Sequence, residues 1–391
     1  MKKIKKLRII IIILLFIVYF FIAARPIPRE TVLVQGWISD LKEETEAAAG
    51  RVSQPGQLLP FVLGDHFGYV DSSGQFAINR IKTNDIYIGE SMWTEYTAEP
   101  SNIEIKNISE ETIINIQNPV GYPVLLDNRV FIVGSEMNSL SEIDVNGNIR
   151  WTYEFGAPLT SIDAAAGLVV TGSLDGIVEI IDSNGDRIYY FEPGGSRLSV
   201  ILGCAISSNG LRVGIISGID RQRFILLERL SSTDVNYRVV YHEYLETGFR
   251  RPVRISFIDE DRRIVYERMG GISCYSIRSR RGVYIPLDGE IAAIDNSGTQ
   301  GLFFVITSNP AQQTTSQQVQ TVSQRELVGI NIPQDKRFAF SKQTDMRDTI
   351  FLRASFKSDN VFLGRMRSEG TDSILIVGGG TALISFDLEE K

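Results

Sequence analysis

The chain has little of what most catalytic centres are built from. Its 391 residues include two histidines, His66 and His242, which leaves few groups able to exchange protons near neutral pH. The two cysteines, Cys204 and Cys274, are too few for a disulfide framework, and no Cys-x-x-Cys or Cys/His metal spacing occurs. Gly-x-Ser-x-Gly is absent, and neither histidine has a nucleophile motif nearby. Gly378-Gly379-Gly380 reads as a tight strand turn that leads no helix, which excludes a phosphate cradle. The net charge of -7 is too mild to define a partner class, and no nucleic-acid partner is expected. Long helical periodicity is almost missing beyond the N-terminus. Ser39–Ala49 is the one helix candidate, a charged spacer or linker.

What is present is β-strand pattern with a sharp turn chemistry. Leu159–Phe191 reads as four strands: Leu159–Ala164, Gly167–Ser173, Ile177–Ile181 and Arg187–Phe191. They are separated by Asp175-Gly176 and Asn184-Gly185, residue pairs that reach positive φ at low cost and mark hairpins. The third-strand ending recurs at Val70-Asp71, Ile143-Asp144, Ile181-Asp182, Leu227-Glu228, Ile277-Arg278, Ile330-Asn331 and Phe386-Asp387. Most copies are spaced by roughly 40 to 55 residues, the period of a four-stranded blade. The longer gap after Asp71 holds Asn84–Glu111, an insertion or an eighth, irregular blade. The last copy ends directly after its third strand, so Thr31–Ile38 or Leu58–Leu63 is expected to supply the missing outer strand and close a ring.

The stretches GLVVTGSLDGIVEIIDSNGDRIYYF and NRVFIVGSEMNSLSEIDVNGNIRWTYEFG resemble PQQ-like and WD40-like β-propeller repeats. The resemblance implies an all-β fold, a seven-bladed or eight-bladed β-propeller spanning residues 58–391. Families of this kind include an outer-membrane assembly lipoprotein, whose Cys anchor this chain lacks, and the quinoprotein dehydrogenases. Asp144–Trp151 resembles the Asp-x-x-Gly-x-x-x-Trp of quinoprotein blades, where the Trp packs between neighbours; here that inter-blade contact is the expected role of Trp151. The adjacent cysteines of quinone sites are missing. Asp71, Asp144, Asp182 and Asp387 are read as turn caps rather than calcium ligands, since DSNGD lacks the Glu of a Ca²⁺ loop. No metal or cofactor is expected, and Cys204 in ILGCAIS reads as a buried thiol.

The N-terminus carries a different signal. Met1–Arg8 is a basic tail, and Ile9–Ala24 runs without a charge. As a helix it spans roughly 24 Å at 1.5 Å per residue, with Arg8 and Arg25 able to snorkel. This predicts an uncleaved signal-anchor over 9–24, with a cleaved signal peptide as the alternative, the tail cytoplasmic, a linker and possible closing strand over 25–57, and the propeller in the periplasm or outside the cell. Thr307–Gln324, rich in Gln, Ser and Thr, is expected to be a loop between two strands.

The remaining unusual stretch is Arg250–Arg281. It holds nine arginines against Asp259, Glu260, Asp261 and Glu267, in a chain that is acidic overall. Arg250, Arg251, Arg254, Arg278, Arg280 and Arg281 are the candidate partner-binding residues, because guanidinium forks suit carboxylates and phosphates. The expected function is a non-enzymatic scaffold for envelope or membrane proteins. The alternatives are a quinone- or metal-dependent propeller enzyme, or a cell-wall glycan binder using Trp37, Trp93 and Tyr96.

Overall fold

Strands whose two faces are both covered should be apolar throughout, while strands at an edge should alternate. The second and third strands of the 159–191 unit, Leu168–Ser173 and Val178–Ile181, are buried at every position, and the fourth, Arg187–Phe191, is not. That pattern arises when sheets stack face to face. The computed structural model describes residues 31–42, 58–245, 248–298, 301–309, 323–332, 349–367 and 373–390, with Leu14, Phe16 and Tyr19. These form eight antiparallel sheets. Blade 1 starts at Leu59–Leu63, blade 2 at Asp85–Ile88, blade 3 at Tyr122–Leu126 and blade 4 at Leu159–Ala165. Blade 5 starts at Ile201–Ile206, blade 6 at Ile255–Ile258, blade 7 at Glu290–Ile294 and blade 8 at Val361–Arg367. Blade 1 shows three described strands and each other blade four.

The core is divided among the joints. One apolar cluster holds Phe67 and Tyr69 of blade 1 with Trp93 of blade 2. The next holds Ile103 with Leu125, and then Phe131 with Val169. The series continues through Val170 with Ile215, Phe224 with Tyr266, Ile272 with Phe303, and Phe304 with Leu375. It returns to its start with Ile376 of blade 8 against Phe61 of blade 1. Eight joints close a ring, so the fold is an eight-bladed β-propeller. The region 84–111 is therefore a regular second blade, and not an insertion.

Closure uses the first of the two expected segments. Thr31–Asp40 pairs antiparallel with Ala382–Glu390 as the outer strand of blade 8. Ser39 and Asp40 thus finish a strand and do not begin a helix; the pairing with Leu383 and Ala382 sets their conformation, and the rest of that helix candidate from residue 43 lies outside the described residues. An irregularity between Gln35 and Ile38 turns Trp37 toward blade 1, where its Nε1 donates to the Ser72 carbonyl at 2.9 Å. Gly74 lies under the indole, and a Cβ there would stand 2.5 Å from a ring carbon. Trp151 of blade 3 sits over Gly185 of blade 4 in the same way, a Cβ meeting it at 2.6 Å. The closing joint thus repeats an internal joint, and the expected inter-blade role of Trp151 is met.

Within each four-stranded blade, the turns after the first and third strands lie on one face of the ring, here the lower face. The turn after the second strand and the connection to the next blade lie on the upper face. Thr31 pairs with Glu390 at the end of a third strand, so the chain enters the ring at its lower face. The expected anchor lies outside the described residues apart from Leu14, Phe16 and Tyr19. Among the described residues no helix is long and apolar enough to cross a membrane. Of the expected loop Thr307–Gln324, Thr307–Asn309 and Gln324 belong instead to two paired strands of blade 7, Leu302–Asn309 and Gln324–Asn331, and residues 310–322 lie outside the described residues.

Candidate functional site

Three of the four repeat aspartates, Asp71, Asp144 and Asp182, are committed to their own turns. Asp387, expected as a fourth cap, lies inside the strand Ala382–Glu390 opposite Val34 and Ile374, because that strand runs on to pair with Thr31–Asp40. One Asp144 carboxylate oxygen accepts the Asn146 and Asn148 amides at 2.9 Å each, which holds its pKa below the usual carboxylate range. Asp71 and Asp182 make the same pair of bonds. His66 meets Asn79 in blade 1, while His242 lies exposed on the outer strand of blade 5, so the two do not converge. Cys204 and Cys274 are buried free thiols in blades 5 and 6, each pushed up to about 12 by burial. They are not disulfide-bonded. Among the described residues no group of His, Cys, Asp and Glu is arranged to hold a metal ion.

The three aromatics weighed for glycan binding stand on strands, not in loops. Trp93 is buried between blades 1 and 2 against Phe67 at 5.1 Å. Tyr96 packs against Tyr122 of blade 3, and Trp37 fills the closing joint. Their rings are used for blade packing, so they offer no common stacking platform.

The arginine-rich stretch is divided between the two faces. Arg250, Arg251 and Arg254 lie in the connection from blade 5 to blade 6, on the upper face. Arg251 makes a forked pair with Glu267 at 2.6 and 3.1 Å and covers the Phe249 ring. Glu267 is almost wholly buried, so this is a charge-assisted pair with one desolvated partner. The carboxylate raises the Arg251 pKa. Arg254 donates to the Ile291 and Ala292 carbonyls at 2.8 and 3.0 Å, tying blade 6 to blade 7. Arg250 is exposed.

Arg278, Arg280 and Arg281 lie in and just after the turn between the third and fourth strands of blade 6, on the lower face. All three are exposed, and among the described residues no carboxylate lies within ion-pair distance of any of them. Nearby Arg262 and Arg263 are instead held by Asp259 and, for Arg262, by Glu260. Arg278 and Arg280 border a cavity of about 410 Å³ between blades 5 and 6. Its other walls come from Arg212 and Glu228 of blade 5 and from Glu260 and Asp261 of blade 6, over Tyr275. Burial raises the Tyr275 pKa, while the Arg280 guanidinium opposes that shift. Sequence reasoning named both arginines but not the cavity. Its blade 5 wall lies some seventy positions before Arg280 at Asn209, and no local signal joins the two.

A model of the β-propeller protein family matches residues 1–390. The chain belongs to that family. This propeller is 28% identical over 280 residues to an uncharacterised protein of Treponema pallidum (strain Nichols), covering 70% of this chain and 73% of that one. Among solved structures it is similar to BamB from Moraxella catarrhalis, with 12% identity, a TM-score of 0.50, and coverage of 92% of this chain and 100% of that one. It is also similar to the computationally designed protein Ika8, with 11% identity, a TM-score of 0.53, and coverage of 85% and 96%. Likeness at such identities concerns the fold.

Proposed function

We propose that this propeller is a non-enzymatic scaffold that holds envelope or membrane proteins, tethered by residues 9–24 with the ring outside the cytoplasmic membrane. The observation that carries this reading is the pair of unequal faces. Asp71, Asp144 and Asp182 are bound into turns, and three neighbouring exposed guanidinium groups, Arg278, Arg280 and Arg281, stand on the lower rim without an ion pair among the described residues. That favours recognition over chemistry. The basic tail followed by an uncharged run supports the tether. With Thr31 only seven residues beyond Ala24, the connecting chain reaches at most about 25 Å, which keeps the lower face, with Arg278, Arg280 and Arg281, near the bilayer. A membrane protein presenting acidic groups close to the lipid surface fits that position.

The test is recovery of partners by the full chain from detergent-solubilised membranes, with metal and quinone content measured on the same preparation. The scaffold reading expects specific polypeptides that are lost as salt rises, because exposed charges are screened within about 8 Å at physiological ionic strength. A stoichiometric metal or quinone with no recovered polypeptide contradicts it and supports the enzymatic alternative. A reporter fused after Lys391 should be active only outside the cytoplasm; activity inside removes the tether orientation.

A further inference from the structure

The cavity between blades 5 and 6 has an unbalanced charge. Its carboxylates already have partners: Glu228 holds Arg212 at 2.7 Å, Glu260 holds Arg262 at 2.8 Å, and Asp261 accepts the Ser208 hydroxyl at 2.5 Å. Arg278 and Arg280 have no carboxylate within ion-pair distance among the described residues, and Arg281 adds a third cation beside them. The floor is apolar, formed by Leu226, Val240, Tyr275 and Ile277. Tyr275 is fixed from below by the aromatic packing of the joint, its ring 4.2 Å from Tyr241. An apolar floor with convergent polar groups at the rim is the usual composition of a ligand pocket, and about 410 Å³ lies within the usual size range.

The walls also hold unfavourable backbone. Asp259, Glu260 and Asp261 have φ of 58°, 54° and 62°, three successive left-handed residues without a glycine. Across the cavity Arg280 has a φ of 55°. Left-handed backbone is unfavourable for residues other than glycine, less so for aspartate than for glutamate or arginine, and such strain gathers where the backbone shapes a binding or switching site. Here the turn is held by the Asp259 amide, which donates to the Gly298 carbonyl of blade 7 at 2.7 Å, and by the Asp259 carboxylate on Arg262 and Arg263. The neighbouring blades thus fix the wall before any ligand arrives.

Resting on the scaffold reading, we propose that this cavity takes an acidic side chain of the partner polypeptide, the carboxylate held between Arg278 and Arg280 and an adjacent apolar residue seated on Tyr275. Charge complementarity selects this occupant. A neutral peptide leaves the two guanidinium groups as they are, whereas a carboxylate gains charge-assisted bonds that are worth about twice a neutral one.

The test uses the full chain in detergent and two dye-labelled, acetylated and amidated peptides, one carrying Glu between leucines and the other Gln in its place, read by fluorescence anisotropy. The Glu peptide should bind at least about tenfold more tightly than the Gln peptide, and Arg278→Ala with Arg280→Ala should remove that preference, as loss of hydrogen bonds to a charged group implies. Arg250→Ala, on the opposite face, should leave it unchanged, and Arg278→Lys with Arg280→Lys should restore part of it. Equal binding of the two peptides, retention of the preference by the double alanine variant, or no binding up to about 1 mM overturns the proposal. Partner recovery from membranes separates the two ideas. If the double alanine variant still recovers every partner, the pocket assignment fails and the scaffold stands; if the wild type recovers none, the scaffold fails whatever the peptides do.

Discussion

The two arginine groups of blade 6 lie close in sequence and on opposite faces of the ring. On the upper face, Arg251 is bound to the buried Glu267 and Arg254 to carbonyls of the next blade. On the lower face, Arg278, Arg280 and Arg281 are exposed and have no ion pair among the described residues. The same residue type therefore serves two ends. In the first group the Arg251 fork holds a buried carboxylate, and its removal leaves Glu267 with the long bond from the Arg254 amide at 3.4 Å. In the second the guanidinium stands in water, where its removal costs the fold little. A count of arginines along the chain merges these roles; only the direction of each strand separates them.

The sharpest extension of this contrast lies at the joint of blades 7 and 8. Arg365 and Asp295 are both almost wholly buried and meet at 2.7 Å. Burial raises the Asp295 pKa and lowers that of Arg365, each against the pull of its partner. Breaking one side of a buried pair costs about 3–5 kcal/mol. Asp295→Ala should therefore show the largest loss in denaturant unfolding. A loss comparable to that of an exposed arginine would dissolve the distinction between committed and uncommitted groups.

A carboxylate with no ion pair among the described residues gives the next effect. Asp163, on the inner strand of blade 4, accepts the Ile206 and Ala164 amides, yet burial raises its pKa to about 6. The folded protein then keeps this proton to a higher pH than the unfolded chain, whose aspartate titrates near 4. Stability from this group is complete below about pH 4, falls as pH rises to about 6, and is flat above; the fall amounts to at most about 3 kcal/mol. The melting temperature of Asp163→Asn should lack this fall, so the wild-type and variant curves should differ in slope between those pH values. Parallel curves would remove Asp163 from the account.

Arg251→Ala comes third, at about 1–3 kcal/mol, the cost of leaving Glu267 buried with its guanidinium bonds gone and the long Arg254 amide bond remaining. The removal of Arg278, Arg280 and Arg281 together should change stability by no more than about 0.5 kcal/mol per site, as for surface positions elsewhere. If the two sets melted alike, the lower-face arginines would also be structural.

Blades 3 and 4 were legible because their turns use the residues that the geometry favours. Asp144 and Asp182 cap, and Gly147 and Gly185 take φ of 84° and 87°. The predicted strands of 159–191 match the observed ones within a residue at each end. Blade 2 was hidden because it builds the same turn from other residues. Asn107 caps the Glu111 amide at 3.0 Å, and Glu110 takes a φ of 64° where the other blades place glycine. The backbone bonds are equivalent: the Asn107 amide reaches the Glu111 carbonyl as that of Asp144 reaches Asn148. A search for Asp-x-x-Gly passes over this turn although its shape is unchanged. Closure was legible from the missing outer strand, while the glycine-under-tryptophan contact at Gly74 was not, since Trp37 and Gly74 are far from any shared motif. At the candidate site the charge was legible and the partners were not. The Arg254 acceptors are main-chain carbonyls of another blade, which no side-chain pattern announces.

The central claim is that the uncommitted lower-face arginines are the working surface of this ring. Partner recovery from solubilised membranes tests it most directly, using two full-length variants side by side. One carries Arg278→Glu, Arg280→Glu and Arg281→Glu; the other carries Arg250→Glu alone on the upper face, where that side chain is exposed. Both should keep the wild-type circular dichroism and melting temperature. The lower-face variant should lose the salt-sensitive partners that the wild type recovers, and the Arg250 variant should keep them. Undiminished recovery by the lower-face variant, or the same loss in both, would contradict the account.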